Sequence, residues 1–195
     1  VLPRGVFPSL RSVDFEYTPT GNGDDTSRGA IADCVASPHL QAYSGAFDGD
    51  DGCRALDGMP RLRHFYMALG RTRDEQESQR RQRRCSAVGA RLAEHDAQHG
   101  GVLESLTEDT ATGLVGAFLR GRVAARGLRY VDVEGGGRDG DTLPVDAFAA
   151  ALPNVVSIRL HRCFPSGQTP TFFKDLRSLV RLDLRSWFLG REELP

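Results

Sequence analysis

The chain has 195 residues, 39% hydrophobic and 26% charged, with a formal net charge of −1. These values exclude a disordered chain, and the near-neutral balance excludes a global field for nucleic acid or an anionic membrane. No apolar run approaches the roughly 20 residues of a membrane span, and Val1-Leu2-Pro3-Arg4 is not a secretory leader. Cys34, Cys53, Cys85 and Cys163 are spaced too widely for a zinc knuckle and read as reduced, buried thiols. A cytoplasmic protein is expected, and the Val1 start and Pro195 end suggest a piece of a longer one.

Along the chain, one short apolar pattern recurs. It appears as Leu10, Val13 and Phe15, then weakly as Leu40 and Tyr43, with Gly45 where a large apolar residue belongs. It returns at Leu62, Phe65 and Met67. It is weak again at Leu103 and Leu106, with Glu108 in the third place. The clearest copies come last: Leu128, Val131 and Val133; Val155, Ile158, Leu160 and Cys163; and Leu179, Leu182 and Leu184. The starts at 10, 40, 62, 103, 128, 155 and 179 are 22 to 30 residues apart, except for one step of 41. The Arg/Glu-rich stretch 71–84 fills that longer step and reads as a solvated, charged insertion. Between the copies, 30–36, 113–119 and 142–152 read as short helices, the last with Asp141 or Thr142 as cap and Pro144 in its first turn.

The pattern L-x-x-L-x-L-x-x-C at Val155 to Cys163 resembles the leucine-rich repeat family, specifically its intracellular, ribonuclease-inhibitor-like subclass in which Cys replaces Asn. The resemblance extends from about Leu10 to Trp187. It implies an α/β fold: a right-handed solenoid of about seven irregular units forming one domain over 1–195. A parallel sheet would line the concave face, with short helices on the convex face. It also implies a protein–protein interaction scaffold rather than an enzyme, with no cofactor and no catalytic residues. By analogy with F-box subunits of ubiquitin ligases, the scaffold could be a substrate-recognition part of a larger assembly.

If the apolar residues of each strand point inward, their neighbours point outward. That places Ser12, Asp14 and Glu16 on the binding face, followed by His64 and Tyr66, then Tyr130, Asp132 and Glu134. Ser157, Arg159 and His161, and finally Arg181, Asp183 and Arg185, complete it. The face is expected to run from acidic to basic, orienting a protein partner, with Tyr66 and Tyr130 as anchors. Phe7 at one end and Trp187, Phe188 and Leu189 at the other are expected as exposed apolar edges.

Rival chemistry is thin. Gly135 to Gly140 matches G-x-G-x-x-G after a predicted strand, which gives an NADP-binding oxidoreductase-like domain as the alternative. The predicted helix begins too late to receive a pyrophosphate at those glycines, and no acid follows the next strand. His95 and His99 have the spacing of a metal pair but lack a third ligand, and they share a stripe with Cys85, Val88 and Leu92. Arg80, Arg81, Arg83 and Arg84 are diluted by Asp74, Glu75 and Glu77, and no aromatic residue interleaves for base stacking, so nucleic acid is not favoured. Turn and cap chemistry accounts for Asp24, Asp25, Asp48, Asp50, Asp51, Asp139 and Asp141 without a Ca²⁺ site.

Overall fold

Each recurring pattern begins with a tight turn that feeds a strand. The computed structural model describes residues 7, 9–15, 35–45, 53–68, 75–109, 113–121, 124–135, 142–144, 148–166 and 175–185. At six of the seven starts, the start residue's own N–H donates to the carbonyl three residues earlier. These are Leu10, Leu40, Leu62, Leu128, Val155 and Leu179, with donor–acceptor distances of 3.0–3.3 Å. Two residues on, the strand begins. The seven strands are β1 (Ser12–Asp14), β2 (Ala42–Gly45), β3 (His64–Ala68), β4 (Ser105–Asp109), β5 (Tyr130–Glu134), β7 (Ser157–His161) and β9 (Arg181–Arg185). They form one parallel sheet in that order, so the strand order follows the chain without reversing. The chain is therefore α/β, built on a seven-stranded parallel sheet.

The units are joined identically at six successive seams. The carbonyl of the residue after each start accepts two N–H groups from the next unit. Arg11 receives Gln41 and Ala42, Gln41 receives Arg63 and His64, and Arg63 receives Glu104 and Ser105. Glu104, Arg129 and Val156 continue the series, all at 2.7–3.1 Å. The register keeps like positions side by side: Val13, Tyr43, Phe65, Leu106, Val131 and Ile158 form one buried row. In β1, β2, β4, β5 and β7 burial alternates along the strand, so one face of the sheet is turned to the core and the other to solvent.

Helices pack on the apolar face. A 3-10 turn (Leu56–Gly58) precedes β3, and α1 (Glu75–Gln98) follows it. Residues 75–84, expected as part of a charged insertion, are the first turns of this 24-residue helix. Glu, Gln and Arg are strong helix formers, and the apolar stripe Cys85, Val88 and Leu92 holds the second half against the core. The long helix is what makes this unit longer than its neighbours. Gly100 and Gly101, at φ +79° and +76°, turn the chain out of it in the left-handed region that other residues avoid. The second helix, α2 (Gly113–Arg120), matches its predicted place and buries Leu114, Val115, Phe118 and Leu119. The two helices touch at Gly89, where a Cβ would sit 2.0 Å from the Leu114 carbonyl oxygen, so no other residue fits without moving a backbone.

Three expectations need correction. Within the helix expected over 142–152, Thr142–Pro144 is instead strand β6, and Phe148–Ala151 is helix α3. This strand pairs with β8 (Phe164–Ser166) in a separate two-stranded parallel sheet, a long-range partner that overrides local helix signals. Phe15, expected inside, is 36% exposed: its ring lies over Gly45, where a Cβ would come within 3.1 Å of it, and meets Tyr43 edge-on. Leu182 and Leu184 stay 40% and 37% exposed although they continue the core rows, because among the described residues β9 is the edge strand of the sheet. Phe7 is exposed as expected, while Trp187, Phe188, Leu189 and residues 30–34 of the first predicted helix lie outside the described residues.

Candidate functional site

The polar face of the sheet collects the side chains expected to bind a partner. Its middle row runs Asp14, Ser44, Tyr66, Thr107, Asp132, Arg159 and Asp183 from β1 to β9. On one side of it lie His64, Tyr130 and Arg181, in register with Ser12, Ala42, Ser105 and Ser157. On the other side lie Asp109, Glu134, His161 and Arg185. Every site residue predicted from the sequence falls in one of these rows, apart from Glu16, which lies outside the described residues. Asp109 escapes the sequence pattern because the Leu103 copy is too degenerate for its outward positions to be counted; the same alternation from Leu106 reaches it.

The electrostatics differ between the two ends of this face. On the β5–β9 side the charges bind one another. Arg159 donates through Nη1 to Asp132 Oδ2 at 3.0 Å and its Nε lies 3.7 Å from Asp183 Oδ2. Arg185 Nε donates to Asp183 Oδ1 at 3.1 Å, and Arg162 Nη1 lies 3.9 Å from Glu134 Oε1. Asp183 feels some desolvation, which would raise its pKa, but the Arg185 hydrogen bond and the charges of Arg185, His161 and Arg159 hold its carboxyl below the ordinary value. The acidic-to-basic gradient is therefore partly cancelled where the two signs meet. On the β1–β4 side, Ser44 Oγ donates to Asp14 and His64 Nδ1 lies 3.3 Å from Ser105 Oγ. Partial burial raises the Tyr66 hydroxyl pKa, and the negative charges of Asp109, Asp14, Glu134 and Asp132 push it the same way. Tyr130 stands 53% exposed.

No known family model, curated protein or solved structure matches the chain.

Buried polar groups on the other side of the sheet do structural work. Glu108 takes a core position of β4 and is 1% exposed. Its two carboxylate oxygens accept the N–H groups of Leu114 and Val115 at 3.0 and 2.9 Å, capping the start of α2. Asp96, equally buried, accepts the Leu103 N–H at 2.8 Å through Oδ1 and replaces the backbone turn of the other six units. Cys163 packs its thiol against the Val133 carbonyl on the neighbouring strand and the His161 carbonyl, in the place the repeat pattern assigns it.

The rival sites fare less well. His95 is buried, its Nε2 has no hydrogen-bond partner, and its ring lies 4.5 Å from that of His99. Burial, then the charges of His99 and Arg91, lower its pKa to about 4, so it packs as a neutral ring. Among the described residues, no group of three or more His, Cys, Asp or Glu is placed to hold a metal ion. Of the glycine motif, Gly135 is described, and a Cβ there would sit 2.4 Å from the Arg162 carbonyl oxygen. Close strand packing uses that glycine, and the element after the motif is strand β6 rather than a helix. The described strands also lack the reversal of order at which dinucleotides bind. Arg80 and Arg83 are exposed along α1. The aspartates at 24, 25, 48, 50, 51, 139 and 141 lie outside the described residues, and no described helix is long and apolar enough to cross a membrane.

Proposed function

We propose that the chain is a leucine-rich repeat solenoid, one domain of about seven units, that binds a protein partner on the polar face of its sheet. The observation that supports this best is the repeated seam. Six times in succession, one carbonyl accepts two N–H groups from the next unit at the same register position. Such translation, with each unit contacting its neighbours, is the construction principle of a solenoid, and strands on the inside of the curve make the polar face concave. The face presents Tyr66, Tyr130, Arg159, Arg181 and Arg185, residue types enriched at protein interfaces. On this reading the chain is a cytoplasmic scaffold, not an enzyme, and needs no cofactor. Its role is substrate recognition within a larger assembly such as a ubiquitin ligase.

Affinity capture from the source cell's lysate tests the reading. The bait is the wild-type chain, and the control is a variant with Asp132, Glu134, Arg159 and Arg185 reversed in charge. Partners held by the wild type and lost from the variant are the expected result. Equal capture by both would remove the polar face as the binding surface.

A further inference from the structure

The turns that feed the strands form one rim of the sheet, and the charge on this rim is almost all of one sign. Each turn, with the first residue of its strand, spans 9–12, 38–42, 60–64, 101–105, 126–130, 153–157 or 177–181. These stretches hold seven arginines and one carboxylate, Glu104. Arg11 enters β1, and Arg61 and Arg63 precede β3. Arg126 and Arg129 precede β5, Arg177 precedes β9 and Arg181 opens it. Every one of them is exposed. The stretches that enter β2, β4 and β7 carry no arginine. The strand order β1-β2-β3-β4-β5-β7-β9 therefore sets arginines at every second strand. Neighbouring strands lie about 4.8 Å apart, so the cationic groups recur about every 10 Å.

Little on the rim answers this charge. Glu104 meets Arg63 at 3.1 Å, and Arg129 Nη1 donates to the Asn154 carbonyl of the next unit at 3.0 Å. Among the described residues, no ion pair holds Arg11, Arg61, Arg126, Arg177 or Arg181. Just outside these stretches, Asp57 is taken by Arg91, and Asp175 is exposed ahead of Arg177.

We infer that this rim is the docking surface for an extended acidic protein segment with a carboxylate at every third residue. A polyproline II chain rises about 3.1 Å per residue with three residues per turn. Every third side chain then points the same way, about 9 Å from the last, which is close to the spacing of the arginine groups. A β-strand would not serve, because its side chains alternate and acids three apart would face opposite sides. Four groups across six strand spacings cover about 29 Å, the length of roughly ten such residues. Arginine suits the task, since its planar fork of donors matches a carboxylate. Single-stranded nucleic acid fits less well: Tyr130 is the one aromatic residue in these stretches, so no row of rings is present for bases to stack on. The rim borders the polar face but includes none of the four side chains reversed in the capture control.

Fluorescence anisotropy on the full chain tests this. The probe is an end-capped, labelled decapeptide with glutamate at every third position, starting from the first, and proline between. Its controls are a decapeptide of the same composition with the glutamates adjacent, and a labelled pentathymidine of equal charge. The spaced peptide is expected to bind saturably, to weaken with salt and to bind about tenfold tighter than either control. Arg61→Ala combined with Arg126→Ala is expected to lose about tenfold. Arg80→Ala combined with Arg83→Ala makes the same charge change on exposed arginines of α1 and retains the affinity to within about twofold. Melting curves followed by circular dichroism establish that each variant is folded. Indifference to the rim pair, an equal loss in the α1 pair, or a control probe bound as tightly as the spaced peptide overturns the inference. The charge-reversed bait keeps the net charge of the chain and is expected to hold the peptide. If that bait loses the peptide while the rim pair holds it, the rim falls and the polar face is the binding surface. If the rim pair alone loses it, the rim stands whatever the bait captures from lysate.

Discussion

The units that start at Leu103 and Val155 perform the same structural task with different chemistry. In the Val155 unit, Ile158 and Leu160 fill both core rows and are fully buried, and the turn into the strand is closed by backbone alone. In the Leu103 unit, Glu108 occupies the second core row and Asp96 closes the turn. The comparison shows that a break in the apolar repeat need not be a weak unit. A buried carboxylate is costly unless its hydrogen bonds are met, and here each one meets N–H groups that a helix start or a turn would otherwise leave orphaned.

Removing Glu108 should have the largest effect. Glu108→Ala deletes two hydrogen bonds to a charged group and leaves the Leu114 and Val115 N–H groups buried, a loss of about 4 kcal/mol. Glu108→Leu is the sharper variant, since it restores the apolar repeat pattern. It should still destabilise by about 2 kcal/mol, because no leucine can accept those N–H groups. Urea unfolding measures both. A Leu variant as stable as wild type would mean that the repeat pattern, not the cap, governs this unit.

In the Val155 unit the corresponding experiment is apolar. Ile158→Ala should cost about 3 kcal/mol in the same assay, the usual range for a large-to-small change in a packed core. Leu182→Ala, one strand further along the same row and 40% exposed, should cost under about 1 kcal/mol. Equal losses would mean that β9 is covered in solution.

The same contrast explains what could be read from the chain. The seven start positions are legible because each needs an apolar residue at a fixed offset, and the sheet register places all of them in line. The outward residues follow by alternation, from Asp14 through Tyr66 to Arg185. Asp96 and Glu108 were illegible as structure because their partners are backbone N–H groups seven and six residues away, which no side-chain pattern reveals. β6 escaped because its partner, β8, lies 22 residues further along the chain and overrides a locally helical stretch. The first turns of α1 escaped because their face is charged and their apolar stripe begins only at Cys85.

Acid should distinguish the two regions next. His95 lies beside Asp96 at the end of α1, facing Asp57, Arg91 and His99, and its pKa falls from 6.5 to about 4 on folding. Between those values the unfolded chain holds the proton and the folded chain does not. Stability therefore falls as pH drops from about 6.5 to 4, by up to about 3 kcal/mol, and this contribution is level below that window. His95→Met should remove this part of the pH dependence, measured as the difference between wild-type and variant urea midpoints across pH 4 to 7. An unchanged slope would show that His95 is already reached by water.

The smallest effect is expected from the polar face, where Asp183 is the same chemical group as Asp96 in a different setting. It is bound by Arg185 and lies near Arg159, but both arginines are at least 40% exposed and water can replace the pairing. Asp183→Asn should change stability least of the variants named here and should matter less still at high salt. It leaves Arg159 on Asp132 and frees one cation of the β9 side, so its larger consequence is for the charge a partner meets there. Thermal unfolding at low and high salt checks the first part. A loss as large as that of Glu108→Ala would mean the ion-paired chain is a structural clasp between β5, β7 and β9, and its side chains would then be unavailable for recognition.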